Sequence, residues 1–183
     1  MSIVRRPGIL AVLASMLVAG LSVIAPAAHA STGTYQDDTN ESGVYDPRGD
    51  ITAIGADYTD GQILLVLGAR ATEPIGSSAW TARGNQFQID IDLDRTGYSE
   101  PEFSVVYWPS HPIAWDPQVA VRRGSSQTLC YPTVDVRSDH YGIVFPASCI
   151  GSPPSFVIRA SISFDNGFTR SSDQAPNYYS WCC

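Results

Sequence analysis

Lysine is absent from this chain of 183 residues, and all 11 of its basic side chains are arginine. They are outnumbered by 18 acidic residues, which gives a formal net charge of −7 at pH 7. A chain this acidic is repelled by nucleic-acid phosphates and by anionic membrane surfaces. The composition therefore argues against a nucleic-acid-binding role and favours cations or neutral molecules as partners.

The chain also lacks any segment in which apolar residues recur with the 3.6-residue period of an amphipathic helix. Short runs rich in Val, Ile and Tyr are instead separated by Gly, Pro, Asp or Ser. Between two of these runs, Asp60-Gly61 predicts a two-residue hairpin turn. The pattern predicts an all-β fold, an antiparallel β-sandwich of about eight strands.

A single long apolar run is present, and it lies near the N-terminus. It follows Arg5 and Arg6 and ends before Ala28-His29-Ala30, which is the pattern of a signal peptide cleaved after Ala30. We expect a secreted, extracellular protein without a membrane anchor, whose formal charge becomes −9 once the two arginines are removed from the total of −7. The predicted organisation is a signal peptide at 1–30, a loose N-terminal arm at 31–45 and one domain at 46–183 with a C-terminal tail.

Cysteines are few, and all four follow the predicted cleavage site, at 130, 149, 182 and 183. In an oxidising compartment they allow three pairings. If Asp139-His140 forms the turn of a hairpin, Cys130 lies opposite Cys149 on the same ladder, close enough for a disulfide. Cys182 and Cys183 would then pair with each other, pair with another molecule or stay reduced.

The stretch "FQIDIDLDRTGYSEPEF" at 87–103 ends a strand in a cluster of acids. Alternation places its apolar side chains toward the core and its aspartates on the opposite face. The acids, a hydroxyl and Gly97 resemble the start of a calcium loop, although Phe103 stands where a bidentate Glu belongs. The predicted Ca²⁺ ligands are Asp92, Asp94, Thr96 and Glu102. The alternative is a solvated turn whose charge is partly balanced by Arg95.

Catalytic signatures are scarce, because no nucleophile elbow and no zinc-ligand spacing occurs in the sequence. The loop "YWPSHPIAW" instead brings together Tyr107, Trp108 and Trp115, which we predict to form a ligand-binding surface that stacks on sugar rings. Trp80 is a candidate fourth member. The alternative is that these rings cover an open end of the sandwich and belong to its core.

Three stretches carry a resemblance to a β-sandwich domain of secreted actinobacterial proteins, and together they cover most of 45–165. They are "DPRGDI" at the start, the Asp-x-Asp loop after a central strand, and "PASCIGSP" between two later strands. The resemblance implies a β-sandwich with Cys130 bonded to Cys149, and it implies no activity. Thr96 departs from the third Asp that is common in this family. The Arg-Gly-Asp tripeptide at 48–50 is expected to begin a strand rather than to mediate adhesion.

These features favour a secreted, non-catalytic binding or interaction domain. The most specific version of this prediction is a module that binds an extracellular glycan or a cell-surface component with the help of calcium. A small secreted hydrolase is one alternative, since acids are plentiful enough for a carboxylate pair. A structural protein of the cell envelope is another. The sequence defines no oligomeric state.

Overall fold

The computed structural model describes residues 33–37, 45–81, 84–93, 100–110 and 118–182, with side chains up to residue 175. The predicted signal peptide lies outside these residues. The strands are β1 (Gly33–Gln36), β2 (Ile51–Thr59), β3 (Gln62–Ala69), β4 (Gln86–Asp92), β5 (Phe103–Tyr107), β6 (Ala120–Arg123), β7 (Gln127–Cys130), β8 (Thr133–Val136), β9 (His140–Pro146), β10 (Ser155–Asp165) and β11 (Arg170–Cys182). Short helical segments are the 3₁₀ turns Pro47–Gly49 and Ala147–Ile150 and the helix α1 (Ser78–Thr81).

The strands form two antiparallel sheets, which confirms the predicted fold class. One sheet has five strands in the order β1-β2-β3-β9-β8, and the other has six in the order β11-β10-β4-β5-β6-β7. The eight apolar runs of the sequence form the strands β2 to β6 and β8 to β10. The three additional strands are β1, β7 and β11. Each of these three lies at a sheet edge. Strand β1 falls within the segment predicted as a loose arm, where it pairs with β2.

Two hairpin turns were predicted, and one of them has a different register. Asp60 and Gly61 both have positive φ, 52° and 74°, and Thr59 pairs with Gln62, so the first prediction is confirmed. The β8–β9 hairpin pairs Val136 with Tyr141 rather than Ser138 with Tyr141. Its turn is therefore one residue earlier than predicted.

The Cys130–Cys149 disulfide is present, but it does not lie across that hairpin. Cys130 ends β7 in the six-stranded sheet, where it pairs with Val121, and Cys149 lies in the 3₁₀ turn that follows β9. Their Cα atoms are 6.1 Å apart. The bond therefore ties the edge strand β7 to the turn that connects β9 of the five-stranded sheet with β10 of the six-stranded sheet. The side chains of Cys182 and Cys183 lie outside the described residues.

The core fills the space between the sheets, with apolar side chains from β2, β3 and β9 on one side and β4, β5 and β10 on the other. The Trp80 ring is fully buried and packs among aromatic rings near the ends of their strands. Its aromatic neighbours are Phe87, Tyr107, Tyr141 and Phe164, at ring-centroid distances of 5.8, 5.1, 6.2 and 5.3 Å. Trp80 Nε1 donates to the carbonyl oxygen of Glu73 at 3.1 Å, which satisfies the one polar atom of this ring.

Two buried tyrosine hydroxyls hold the connection between β3 and β4 against the core. The backbone N–H of Glu73 donates to Tyr141 Oη at 2.7 Å, and that of Gly76 donates to Tyr107 Oη at 2.8 Å. Burial raises the pKa of both phenols, so they remain neutral over the physiological range.

The "DPRGDI" motif has a structural role. Arg48 binds both carboxylate oxygens of Asp46 at 2.9 Å, reaches Glu73 at 2.9 Å, and lies 4.1 Å from the ring centroid of Phe164. The Arg48 hydrogen bonds hold the pKa of Asp46 below its usual value. Gly49 approaches β11 so closely that an added Cβ would lie 2.7 Å from Ser171 Cβ. The tripeptide at 48–50 was expected to begin a strand, but it lies in the 3₁₀ turn and its C-cap, and β2 begins at the next residue, Ile51.

Within the described part of the chain, no helix has the length and apolar character needed to cross a membrane.

Candidate groove on the six-stranded sheet

The outer face of the six-stranded sheet carries a polar row that crosses four strands. Register places Arg159 of β10 beside Asp90 of β4, Asp90 beside Ser104 of β5, and Ser104 beside Arg122 of β6. A second row places Gln88 beside Val106. Successive side chains of a strand point to opposite faces of the sheet, so the residues next to these in sequence point toward the core.

These rows form the floor of a groove with a volume of about 330 Å³. Trp108 borders the groove beyond Val106, and Glu100 and Pro101 border it at the opposite end. Gly124, in the turn between β6 and β7, lines the groove at the end near Glu100 and Pro101. The volume lies in the range of small-molecule sites, about 300–1,000 Å³.

Asp90 is the buried acid of the groove floor. It is only 6% exposed, yet both carboxylate oxygens have partners. Arg159 Nη2 and Nε donate to Asp90 Oδ2 at 2.6 and 3.2 Å, and Gln88 Nε2 donates to Oδ1. The pair is therefore fixed in place, with the Asp90 charge balanced from the neighbouring strand.

Arg122 has the opposite character. It is partly buried, and its Nε is buried without a hydrogen-bond partner. Among the described residues, no ion pair involves its guanidinium group. A positive charge without an ion-pair partner among the described residues therefore lines the same groove as the balanced Asp90–Arg159 pair.

The structure separates the three aromatic residues that the sequence grouped as a ligand surface. Tyr107 is 1% exposed, because it points inward from β5, so its ring is not available for stacking. The next residue, Trp108, points to the other face, is partly exposed and lines the groove. Trp115 lies outside the described residues. Trp80, the candidate fourth member, belongs to the core, which is the alternative that the sequence left open.

Of the four predicted calcium ligands, the structure describes Asp92 and Glu102. Asp94 and Thr96 lie outside the described residues. Asp92 is 0% exposed, and Glu102 Oε2 accepts a hydrogen bond from the backbone N–H of Leu93 at 2.8 Å. Glu102 thus closes the base of the acidic loop. In the portion of the chain with described side chains, no group of three or more His, Cys, Asp or Glu residues is placed to hold a metal ion.

A second groove, of about 270 Å³, lies on the outer face of the five-stranded sheet. It is lined by the aliphatic side chains of Leu64, Val66 and Val144 together with Thr133, Asp135 and His140. Its Asp135 is already paired with Arg137 at 2.7 Å. This groove offers fewer polar groups to orient a ligand than the groove on the six-stranded sheet.

Sequence reasoning missed most of the groove floor, although a signal was present. Alternation in "QFQID" places Gln88 and Asp90 on one face, and alternation in "FSVVYW" does the same for Ser104 and Trp108. The sequence could not indicate that Arg122 belongs to the groove. Arg122 lies beside Ser104 only because β5 pairs with β6, and a loop separates these two strands in the sequence. No protein-family model, curated protein or solved structure matches this chain.

Proposed function

We propose that this protein is a secreted, non-catalytic binding domain that holds an extracellular carbohydrate in the groove on the six-stranded sheet. The observation that carries the proposal is the convergence of a partly exposed indole, Trp108, with a polar floor in one cavity of ligand size. A sugar ring has an apolar face that can stack on an indole, and hydroxyl groups around its edge.

The floor offers both kinds of hydrogen-bonding group that sugar hydroxyls need. Gln88 and Ser104 can donate and accept, the Asp90 carboxylate accepts, and Arg122 donates. The Asp90–Arg159 pair fixes the acceptor before a ligand arrives, so little side-chain entropy is lost on binding. This arrangement suits recognition of a neutral or weakly charged ring.

A hydrolase is the competing proposal for the same groove, since Asp90 and Glu100 both line it. Glycosidases use two carboxyl groups, one as acid and one as base or nucleophile. Both oxygens of Asp90 already accept hydrogen bonds from the protein. This occupancy supports binding rather than attack on a glycosidic bond.

We extend the proposal to calcium, because Glu100, at the end of the acidic stretch, lines the groove. Asp92 follows Asp90 by two residues on the same strand, and Glu100 lines the groove while lying two residues from Glu102. A Ca²⁺ ion held by Asp92 and Glu102 together with loop oxygens would fix the end of the groove near Glu100. Oxygen-rich loops of this charge bind Ca²⁺ with a Kd of about 10⁻⁴–10⁻³ M in extracellular modules.

The test is a screen of soluble glycans against the purified protein, followed by calorimetric titration of the best binder. Trp108→Ala should weaken binding at least about tenfold, the equivalent of about 1.4 kcal/mol. Its melting temperature should stay close to that of the wild type, because Trp108 is not a core residue. Val144→Ala, on the outer face of the five-stranded sheet, is the matched control and should bind like the wild type. Equal loss in both variants, or hydrolysis of the glycan, would contradict the proposal.

A further inference from the structure

Arg122 is a positive charge of the groove for which the described residues provide no ion-pair partner. Its neighbour two strands away, Asp90, is engaged by Arg159 at 2.6 Å from the other side. Asp90 and Arg122 flank Ser104, so their backbones are separated by two strand spacings, about 9.5 Å. The floor therefore carries one matched ion pair and one guanidinium that lacks a counter-ion among the described residues.

Arg122 is partly exposed in the groove, so only part of its guanidinium group is removed from water. Buried charged groups are normally paired, because removal from water is costly without a compensating partner. The Nε atom of Arg122 is buried, and no acceptor in the described part of the chain bonds to it. Guanidinium groups recognise carboxylates through two parallel hydrogen bonds, a geometry that lysine does not offer.

We infer that the ligand carries a carboxylate that pairs with Arg122, so that the groove selects saccharides containing a uronic acid over their neutral counterparts. This inference rests on the proposed function and specifies its substrate class. Stacking on Trp108 and hydrogen bonds to Gln88 and Ser104 would hold the ring. The guanidinium group of Arg122 would bind the carboxylate of the uronic acid.

The overall negative charge does not oppose this selection at short range. Charges more than about 8 Å away are largely screened at physiological ionic strength. Within the groove, Arg159 offsets Asp90, and the remaining acid, Glu100, is exposed at one end. A chain with a formal charge of −7 nevertheless repels polyanions at long range. The favoured ligand is therefore a glycan with isolated carboxylates rather than a densely sulfated polymer.

The experiment compares two forms of one oligosaccharide. The first contains a single glucuronic acid residue, and in the second that carboxylate has been reduced to a hydroxymethyl group. Each is titrated into the wild type and into Arg122→Gln, Arg122→Lys and Arg123→Gln. Arg123→Gln is the matched control, since it removes the same charge from the next residue, whose guanidinium lies 5.0 Å from the Phe103 ring centroid.

The wild type should prefer the acidic form by about 10–100-fold, the effect of a hydrogen bond to a charged group. Arg122→Gln should abolish the preference, Arg122→Lys should retain part of it, and Arg123→Gln should leave it intact. Rising NaCl should reduce the preference in the wild type, which supplies a test independent of any variant. The Arg122 Nε–H signal should shift on addition of the acidic form.

Equal binding of both forms with no effect of Arg122→Gln would overturn the inference and leave the proposed function standing. Equal loss of preference in Arg122→Gln and Arg123→Gln would assign the effect to net charge and would also overturn it. Absence of binding by either form, repeated over a panel of uronic-acid oligosaccharides, would contradict the inference. If the glycan screen also gave no binder, the proposed function would fail with it.

Discussion

Removal of the Cys130–Cys149 disulfide should destabilise the domain by a magnitude that follows from its place in the chain. The two residues are 19 positions apart in sequence. For a loop of this length, the chain-entropy relation gives about 11 cal/mol/K, or about 3 kcal/mol at 25 °C. For a domain of about 150 residues, this corresponds to a fall in melting temperature of about 6–12 °C.

The assay is urea unfolding of the wild type and of a variant with Cys130→Ala and Cys149→Ala. A matched control replaces Cys182 and Cys183 by Ala, since a bond between adjacent cysteines would close almost no loop. The first variant should lose about 3 kcal/mol, and the control should lose much less. Reductant should lower the stability of the wild type and leave the first variant unchanged.

The location of the bond adds a local readout. Cys130 ends the edge strand β7, which pairs with β6 alone. Amide hydrogen exchange in β7 should accelerate more than exchange in the central strands β4 and β10 once the bond is removed. A loss of stability below about 1 kcal/mol, or equal loss in the Cys182/Cys183 control, would refute the reasoning about loop closure.

Three further predictions follow from the core and the acidic loop. Arg48 lowers the pKa of Asp46, so the stability from this pair is complete above about pH 4 and is lost as the pH falls through the lowered value. Asp46→Asn should therefore cost about 1–3 kcal/mol at pH 7, because hydrogen bonds to the partly exposed Arg48 are lost. Urea unfolding from about pH 2 to 7 should show the difference from the wild type shrinking below about pH 4. Trp80→Ala should cost about 3–5 kcal/mol in the same assay, because this ring is fully buried among four aromatic rings; a loss below about 1 kcal/mol would contradict its role in the core. Thermal melts in EDTA and in about 10 mM Ca²⁺ should show a calcium-dependent rise that disappears in a variant with Asp92→Asn and Asp94→Asn; an unchanged wild-type midpoint would argue for the solvated turn.

The strands that the sequence did not predict all lie at sheet edges, whereas the predicted strands are mostly central. The eight predicted strands include every central strand, where burial of one or both faces imposes an apolar or alternating pattern. The three missed strands, β1, β7 and β11, lie at edges. Edge sequences such as "GTYQ" and "QTLC" carry polar residues because one flank is unpaired, and polar flanks also protect against aggregation. Such segments resemble loops when read alone.

The disulfide was predicted correctly from a hairpin register that was wrong. The turn lies one residue earlier, so paired positions across β8 and β9 do not bring Cys130 opposite Cys149. The bond forms because Cys130 ends a strand of the other sheet and meets the turn after β9. Short-range pairing cannot anticipate a contact that depends on how two sheets pack.

The site shows a similar division. Alternation correctly assigned Phe87, Ile89 and Ile91 to the core, and each is fully buried. It also placed Asp90 on the opposite face, but it could not supply the partner, because Arg159 lies 69 residues away. The adjacent Tyr107 and Trp108 were grouped as one surface, although strand geometry directs neighbouring side chains to opposite faces.

The central claim is that the outer face of the six-stranded sheet binds the ligand, and nuclear magnetic resonance titration of the ¹⁵N-labelled protein tests it most directly. On addition of the best glycan from the screen, the account predicts that signal changes cluster at Gln88, Ser104, Trp108 and Arg122. The signals of Leu64 and Val144 on the five-stranded sheet should stay in place. Changes confined to that second face, or no changes in either groove at saturating glycan, would contradict the account.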